Sequence, residues 1–157
     1  MTHIYLALGS NMGDRLANLE KARQALAPQV RIIMASAIYE TTPWGYIEQE
    51  DFLNQVLEAE TELLPLELLN WLKDIEKRLG RKKGFRNGPR MIDVDILFYG
   101  ELILEMEQLR IPHARLHERA FVLVPLADIA PQFVHPVLGK TITELLAEAD
   151  VAGVKEL

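Results

Sequence analysis

The segment from Gly88 to Phe98 follows the pattern of an apolar strand, except at two positions. Every second residue in its latter part is apolar, namely Ile92, Val94, Ile96 and Phe98. Because strand side chains alternate between two faces, these residues are predicted to fill a core face, whereas Asp93 and Asp95 project together from the opposite face. Two adjacent carboxylates repel each other unless a positive charge lies between them, and divalent cations that prefer oxygen ligands can supply it. The segment therefore predicts a metal platform, although a solvated strand face or ion pairs with nearby arginines would produce the same pattern.

A dense group of basic residues precedes this strand. Seven of the chain's seventeen lysines and arginines lie within fourteen positions: Lys77, Arg78, Arg81, Lys82, Lys83, Arg86 and Arg90. Carboxylates beside an arginine-rich loop are typical of phosphate chemistry. Because the chain has a formal net charge of −6, this group is a local feature and does not indicate a general nucleic-acid-binding surface. The stretch from Gly80 to Gly88 has no apolar stripe, which predicts a mobile loop that closes over bound triphosphate.

Length and composition restrict the class of protein. At 157 residues the chain is predicted to form one domain, residues 1–157, that can bury a core without crosslinks. The absence of cysteine excludes disulfides, thiolate chemistry and zinc–thiolate sites. The amino-terminal residues lack the basic flank and apolar run of a signal peptide, and no segment has the length of a membrane span. We therefore expect a cytoplasmic monomer that interacts with neither a membrane nor nucleic acid.

The predicted elements follow the order β-α-β-β-α-β. Four strands are expected, at residues 4–8, 30–40, 52–61 and around the two aspartates. The first helix begins at Asp14 and carries an apolar stripe of Leu16, Leu19 and Leu26. The second helix begins near Pro65 and ends at Gly80. This order is typical of an α+β protein with a ferredoxin-like βαββαβ core, in which helices pack on an antiparallel sheet.

The remaining residues are predicted to form a C-terminal extension of this core. A short edge strand is expected at residues 101–104, and a helix from Arg115 to about Leu123 that Pro125 limits. Thr141 and Glu144 have the spacing of a capping box, which predicts a last short helix.

Two residues of the third strand have side chains that suit a flat ligand. Phe52 and Asn54 are two positions apart and therefore share one face. An aromatic ring can stack on a heterocycle while an amide hydrogen-bonds to its edge. Phe121 offers a further ring. A buried phenylalanine and an asparagine bonded to a neighbouring loop would explain the same residues equally well.

Two further groups have a chemical and a structural interpretation. His113, Arg115 and Arg119 could bind phosphate oxygens, although a solvated helix face is the simpler explanation of these residues taken alone. The glycine-rich run from Gly9 to Gly13 precedes a helix but lacks the Gly-Lys-Ser/Thr of a P-loop. We therefore interpret that run as a turn and a helix cap.

Motifs distributed along almost the whole chain are similar to those of one enzyme family. They are Leu8-Gly9-Ser10-Asn11, Tyr39-Glu40-Thr41 before Pro43-Trp44-Gly45, Asp51-Phe52-Leu53-Asn54, the run from Gly88 to Leu97, Ile111-Pro112-His113, and Glu118-Arg119-Ala120-Phe121. With these residues at these distances, the chain resembles the 6-hydroxymethyl-7,8-dihydropterin pyrophosphokinases. These folate-pathway enzymes have a ferredoxin-like fold and move a pyrophosphoryl group from ATP to the hydroxymethyl group of the pterin, releasing AMP.

The resemblance implies a role for each charged candidate. Asp93 and Asp95 would hold two magnesium ions that bridge the phosphates of ATP. The triphosphate would be contacted by Arg81, Arg90, His113 and Arg119, with Lys83 at a position where the family often has arginine. Arg81 and Arg90 would belong, with the two aspartates, to the catalytic group. No residue stands out as a general base.

The resemblance also implies a pterin pocket. Asn54 would bind the pterin edge, the rings of Phe52 and Phe121 would enclose it, and backbone of the segment Thr41, Thr42, Pro43 and Trp44 would complete the pocket. The chain departs from the family at Asn87, where many members carry a tryptophan that helps to close the site. Gln108 and Arg110 also differ from some members near the adenosine site.

Three other functions fit parts of the pattern. A nucleotidyltransferase has a Gly-Ser pair and an Asp-x-Asp, but there the two lie close in sequence, whereas here more than eighty residues separate Ser10 from Asp93. A ferredoxin-like domain can bind RNA on sheet aromatics, but the acidic balance of this chain argues against it. A purely regulatory ligand-binding domain would not explain the two carboxylates that are predicted to bind metal.

Overall fold

The structure is a computed structural model that describes residues 1–42, 49–80 and 90–157. Within these residues the strands are β1 (Thr2–Ser10), β2 (Val30–Ala35), β3 (Tyr39–Thr41), β4 (Phe52–Thr61), β5 (Asp93–Tyr99), β6 (Leu104–Glu105), β7 (Arg110–Ile111) and β8 (Val154–Glu156). The helices are α1 (Arg15–Leu26), α2 (Pro65–Arg78), α3 (Ala120–Ile129) and α4 (Ile142–Ala147), with a 3₁₀ turn at Leu116–Glu118. None of the described helices is long and apolar enough to cross a membrane.

One antiparallel sheet organises the molecule. β1 lies between β5 and β4, and the far edge of β4 pairs with β2 along one part of its length and with β3 along another. β8 pairs with the outer edge of β3, whereas β6 and β7 form a separate two-stranded ribbon. The architecture is therefore a mixed α/β fold with helices packed on an antiparallel sheet.

The two faces of the sheet are covered by different helices. On one face, alternate residues of β1 pack against α1 and α2 in the larger apolar cluster, which includes Ile4, Leu6, Leu8, Leu19, Leu26, Leu68, Leu72 and Ile75. On the other face, α3 and α4 form a second cluster with residues that include Tyr5, Val56, Leu97, Val122, Leu126 and Ile142. Each cluster buries the apolar positions of alternating strands, which fixes which side chains point to which face.

The predicted alternation of β5 fails after Ile96. Leu6 pairs with Ile96 but Tyr5 pairs with Phe98, so that Leu97 is an extra residue in β5. Such a bulge reverses the alternation, and Phe98 lies in the second cluster, not on the face of Val94 and Ile96. The prediction for Phe98 was wrong. The shift lies beyond both aspartates, which therefore keep the face opposite Val94.

The second predicted strand is divided. In place of one strand over residues 30–40, β2 and β3 are separated at Ser36, whose hydroxyl oxygen accepts a hydrogen bond of 2.9 Å from the Val56 N–H. Because this side-chain bond replaces a ladder bond, the backbone leaves and rejoins the edge of β4. By contrast, the predicted bounds of the third strand, residues 52–61, are confirmed by β4.

The predicted helix starts are confirmed more often than the ends. Asp14 caps α1, accepting from the Ala17 N–H at 3.1 Å, and the Thr141–Glu144 capping box begins α4. The helix expected from Arg115 to about Leu123 was wrong, because α3 runs from Ala120 to Ile129 with Pro125 inside it. Burial of neighbouring apolar residues in the second cluster offsets the hydrogen bond that this proline cannot donate.

Two smaller expectations also need correction. Leu16 is 50% exposed and does not belong to the buried stripe of α1, whereas Leu19 and Leu26 are fully buried. The edge strand expected at residues 101–104 lies further along the chain as β6, where it pairs with β7.

Candidate active site

The two aspartates and the asparagine of β4 lie in neighbouring rows on one sheet face. Asp93 pairs with Gly9 on β1, and Gly9 pairs in turn with Asn54 on β4. Paired residues share a face, so the carboxylate and the amide lie two strand spacings apart, about 10 Å. A Cβ atom at Gly9 would lie 3.1 Å from Asn54 Oδ1 and 3.6 Å from Phe52 Cδ1. Glycine at this position therefore leaves an open strip of backbone between the two groups.

The carboxylates have the chemistry of a magnesium site. The Asp93 side chain is 32% exposed and Asp95 is exposed, so that oxygen atoms of both can reach a ligand. Arg90 Nε lies 3.9 Å from Asp93 Oδ1. No group of three or more acidic, histidine or cysteine side chains in the described part of the chain could hold a metal alone. The two aspartates therefore fit an ion that takes its other ligands from phosphate oxygens and water.

Arg119 brings a positive charge to the same carboxylates. Burial lowers the pKa of Arg119, and the carboxylates of Asp95 and Asp93 partly offset that effect. The guanidinium carbon lies 5.6 Å from the centre of the Phe121 ring. Because an arginine remains charged at any physiological pH, its partly desolvated guanidinium is well suited to bind an anionic oxygen beside the aspartates.

His113 is held as a neutral hydrogen-bond donor. Its backbone N–H donates to the Leu97 oxygen at 3.1 Å, and its Nδ1 accepts from the Arg115 N–H at 3.3 Å. Burial, together with the charges of Arg119 and Arg115, lowers the pKa of His113 to about 4. With Nδ1 accepting, the ring proton is placed on Nε2, which can donate to a phosphate oxygen.

This lowered pKa predicts a pH dependence of stability. An unfolded chain protonates the imidazole near pH 6.5, whereas the native protein does so only near pH 4. The free energy of unfolding should therefore fall as the pH is lowered, with His113 accounting for about 2 kcal/mol between pH 6.5 and 5. In His113→Gln this part of the dependence should vanish in denaturant titrations. Identical profiles for the wild type and His113→Gln would contradict the lowered pKa of His113.

The residues expected to bind the heterocycle lie near β4, on the opposite side of β1 from the two aspartates. Asn54 is buried, and its Nδ2 donates to Thr41 Oγ1 at 2.7 Å. Phe52 shares its face and is partly exposed. Phe121 is in the first turn of α3, the helix that packs on β4 and β3. The structure thus brings the amide, the Phe52 ring and the threonine together, and places Phe121 on the helix that packs against their strands.

A hydrogen bond between side chains ties β3 to α3. Tyr39 Oη donates to Asp128 Oδ2 at 2.7 Å. Burial, together with this carboxylate, raises the pKa of Tyr39 to about 12, so the hydroxyl keeps its proton. The bond therefore fixes the helix that carries Phe121 against the strand that carries Thr41.

Sequence reasoning missed the role of Asn11. This residue is 2% exposed; its Oδ1 accepts from the Arg90 N–H at 2.7 Å, and its Nδ2 donates to Gln49 Oε1 at 2.7 Å and to the Glu50 oxygen at 3.0 Å. It therefore joins the backbone before β5 to the backbone before β4. The available signal was that Asp14 already supplies the helix cap, which left the polar pair Ser10-Asn11 without a need for a second capping side chain.

Glu76 was also missed. It is 4% exposed, and its Oε2 accepts a 2.8 Å hydrogen bond from the N–H of Val94, the residue between the two aspartates. Glu76 continues the i, i+4 series of Leu68 and Leu72 on α2, so a carboxylate at a predicted core position was the signal. Its bond fixes the β5 backbone where both carboxylates emerge.

Some candidates lie outside the described residues. They are Pro43, Trp44, Arg81, Lys83 and Asn87, together with the loop expected between Gly80 and Gly88. Thr42 is exposed and directly follows β3, Gln108 lies in the bend between β6 and β7, and Arg110 is the first residue of β7.

Comparison with known proteins identifies the family. Residues 5–131 match the family model described as 7,8-dihydro-6-hydroxymethylpterin-pyrophosphokinase (HPPK). The chain belongs to this family. It is therefore an ATP-dependent pyrophosphokinase of folate biosynthesis, which decides against the nucleotidyltransferase alternative.

Relatives in several organisms agree with this identification. The Aquifex aeolicus 2-amino-4-hydroxy-6-hydroxymethyldihydropteridine pyrophosphokinase is 43% identical over 148 residues, covering 94% of this chain and 92% of that protein. The enzyme of the same name from Methylorubrum extorquens is 46% identical over 159 residues, covering 100% and 99%. The chain is also 46% identical to the Dictyostelium discoideum folic acid synthesis protein FOL1 over 138 residues, but spans only 21% of its length.

Solved structures share the fold. A crystal structure of Plasmodium falciparum HPPK-DHPS superposes with a TM-score of 0.77 at 20% sequence identity. The superposition covers 94% of this chain and 42% of the Plasmodium chain. The fold is therefore similar to that of a part of the longer Plasmodium protein.

Proposed function

We propose that the chain transfers the pyrophosphoryl group of ATP to the hydroxymethyl group of 6-hydroxymethyl-7,8-dihydropterin, releasing AMP, on the sheet face that carries Asp93, Gly9 and Asn54. The observation that carries this assignment is their pairing across three adjacent strands. Carboxylates suited to magnesium and an amide suited to a heterocycle lie on one surface with only a glycine between them. Two substrates bound there would meet above β1.

The phosphate half of the site is formed by acidic and basic side chains. Asp93 and Asp95 would hold two magnesium ions, which when bound neutralise phosphate oxygens and align the triphosphate. Arg90 and Arg119, both near these carboxylates, would bind oxygens of the transferred group, and His113 Nε2 would donate a further hydrogen bond. Arg81 and Lys83 remain predictions for the same triphosphate.

The pterin half lies at Asn54. The amide and Thr41 would hydrogen-bond to the pterin edge, and the rings of Phe52 and Phe121 would stack on its faces. The buried hydrogen bond between Asn54 and Thr41 supports this assignment because it holds both polar groups in place before the ligand binds. Thr42, Pro43 and Trp44 remain predictions for the same pocket.

The chemistry requires alignment more than covalent help from the protein. The pterin hydroxyl oxygen releases its proton to the solvent and forms a bond to the β-phosphorus, while the bond from this phosphorus to the α,β-bridging oxygen breaks and AMP leaves. Catalysis would come from holding the two groups in line and from stabilising negative charge on the phosphate oxygens. We assign no general base.

Formation of AMP tests the proposal directly. The purified chain, incubated with ATP and magnesium, should produce AMP only when the hydroxymethyl dihydropterin is present, with one pyrophosphorylated pterin for each AMP. Production of ADP and phosphate, or AMP at the same rate without the pterin, would overturn the proposed reaction.

Replacing Phe121 tests the pterin half separately. Phe121→Ala should weaken pterin binding by about 1–3 kcal/mol, taking base–aromatic stacking as the nearest analogue, and leave the affinity for an ATP analogue nearly unchanged. Calorimetry with each ligand measures both. Phe133→Ala is the matched control, since Phe133 packs against Phe98 in the second cluster and should affect thermal stability without a preference between ligands. Equal losses of both ligands in Phe121→Ala would identify Phe121 as a core residue only.

We also propose a ferredoxin-like core for this single domain of residues 1–157. The strand order β5-β1-β4-β2 supports it. These are the fourth, first, third and second strands of the βαββαβ unit, which is the order in which the strands of that unit lie side by side. The elements after β5 would then be a C-terminal extension that covers the second sheet face. We further propose that the chain is a cytoplasmic monomer without a membrane or nucleic-acid partner.

A further inference from the structure

The strand that carries Thr41 is held from both sides. β3 has only three residues, pairs with β4 along one edge and pairs with β8 along the other. Tyr39, Glu40 and Thr41 lie opposite Glu156, Lys155 and Val154 of β8. Just beyond the strand, the Leu157 N–H donates to the Ile38 oxygen at 2.9 Å. Without β8, the outer edge of this short strand would lack a backbone partner.

The register shows which groups of β8 face β3. In an antiparallel pair, hydrogen-bonded and non-hydrogen-bonded positions alternate. Because Leu157 and Ile38 form a hydrogen-bonded pair, the next such pair is Lys155 with Glu40. The Lys155 N–H therefore points to the Glu40 oxygen, whereas the Glu156 N–H points away from β3. The same alternation directs the backbone groups of Thr41 towards β4, where they pair with Phe52.

Other contacts connect this pairing to the site. The Glu40 side chain accepts a 2.7 Å hydrogen bond at Oε2 from Arg15 Nη1. The same Nη1 donates to the backbone oxygen of Asp51 at 2.8 Å, and Asp51 directly precedes Phe52. A Cβ atom at Gly153 would lie 3.7 Å from Thr42 Oγ1, so the approach to β8 packs against the residue after Thr41. β8 therefore supports β3 along its whole length.

We propose that β8 is a positioning element for the pterin pocket, and that the Lys155 backbone N–H is its main contact. This inference rests on the proposed function. By completing the sheet around β3, β8 fixes Thr41 against Asn54, and so sets the geometry of the groups that bind the pterin edge. β8 and the strand of the two carboxylates, β5, lie at opposite ends of the strand order β5-β1-β4-β3-β8, so the loss of β8 should act on one substrate only.

Proline substitutions at adjacent positions provide the test. Lys155→Pro removes the N–H that donates to Glu40, whereas Glu156→Pro removes an N–H that faces away from β3. Lys155→Pro should weaken pterin binding about 5- to 20-fold, the effect of one lost backbone hydrogen bond. It should raise the KM for pterin by a similar factor and change the affinity for a non-hydrolysable ATP analogue less than about twofold. Glu156→Pro and Lys155→Ala, which both keep the Lys155 N–H, should bind pterin as the wild type does.

The outcomes separate this inference from the proposed function. Failure of the wild-type chain to bind pterin or form AMP would refute the function. A wild type that is active, with Lys155→Pro and Glu156→Pro equal in pterin affinity, would refute only the positioning role, as would equal losses for pterin and ATP analogue. Should Lys155→Pro fail to fold, a chain that ends at Gly153 lacks β8 and therefore both the Lys155 N–H and the Leu157 hydrogen bond to Ile38. A selective loss of pterin affinity in that variant would support the inference, and unchanged affinity would overturn it.

Discussion

Asp95→Ala is expected to reduce the turnover number by a factor of about 10³ or more. Asp95 lies on β5 beside Asp93 and projects from the face opposite the larger core, so its removal takes away one of two oxygen donors without opening a cavity. A single remaining carboxylate cannot hold the proposed pair of ions, and the phosphate charge would be left uncompensated in the transition state. AMP formation at increasing magnesium concentration measures the loss, which excess magnesium should not restore.

Two controls distinguish this loss from unfolding. Thermal unfolding of Asp95→Ala should occur close to the wild-type temperature, because the residue is exposed. Asp74→Ala removes another exposed carboxylate, one that pairs with Arg78 on α2 at 3.1 Å, and should leave turnover unchanged. Near-wild-type turnover in Asp95→Ala would exclude the metal role of this residue.

Local patterns were sufficient to predict much of the sheet. The bounds of β4 and the start of α2 at Pro65 follow from patterns within each element, so they could be predicted from neighbouring residues. The pair Asp93 and Asp95 could be found in the same way, because two charged residues interrupted a regular apolar strand. Each of these signals lies within about ten residues of sequence.

The features that were missed depend on residues distant in sequence. The bulge at Leu97 is set by the register with Tyr5 and Leu6, and the break at Ser36 depends on Val56. No local pattern contains both partners of such a pair. Pro125 was read as a helix limit because its local effect is unfavourable, whereas burial against the sheet decides the outcome.

The candidate site shows the same division. The residues proposed to contact a ligand, such as Asn54 and His113, occur in short recognisable motifs. The residues that hold them in place do not, because Asn11 acts on Arg90 across 79 positions and Tyr39 on Asp128 across 89. Sequence motifs therefore predicted the groups proposed to act on substrates, and the structure was needed to find the groups that hold them in place.

Arg119→Ala is expected to lower the turnover number by about 10²–10³. The charge of Arg119 acts on both Asp95 and Asp93, and its guanidinium lies over the ring of Phe121. It is thus placed between the phosphate and pterin halves, where the transferred group would pass. Because this contact should strengthen as negative charge moves during transfer, the loss in turnover should exceed the loss in affinity for an ATP analogue. Single-turnover kinetics and calorimetry measure the two quantities.

Two further variants determine whether position or charge is responsible. Arg119→Lys keeps the charge but loses the planar guanidinium, and should recover only part of the turnover. Arg115→Ala removes the same charge four residues earlier, from a side chain that pairs with Glu118 at 3.2 Å and is 39% exposed, and should cost less than about fivefold. Equal losses in Arg115→Ala and Arg119→Ala would mean that the site responds to net charge alone. A much larger loss in Arg119→Ala would place its guanidinium on the transferred group, because only a directed contact depends on which of two neighbouring arginines is removed.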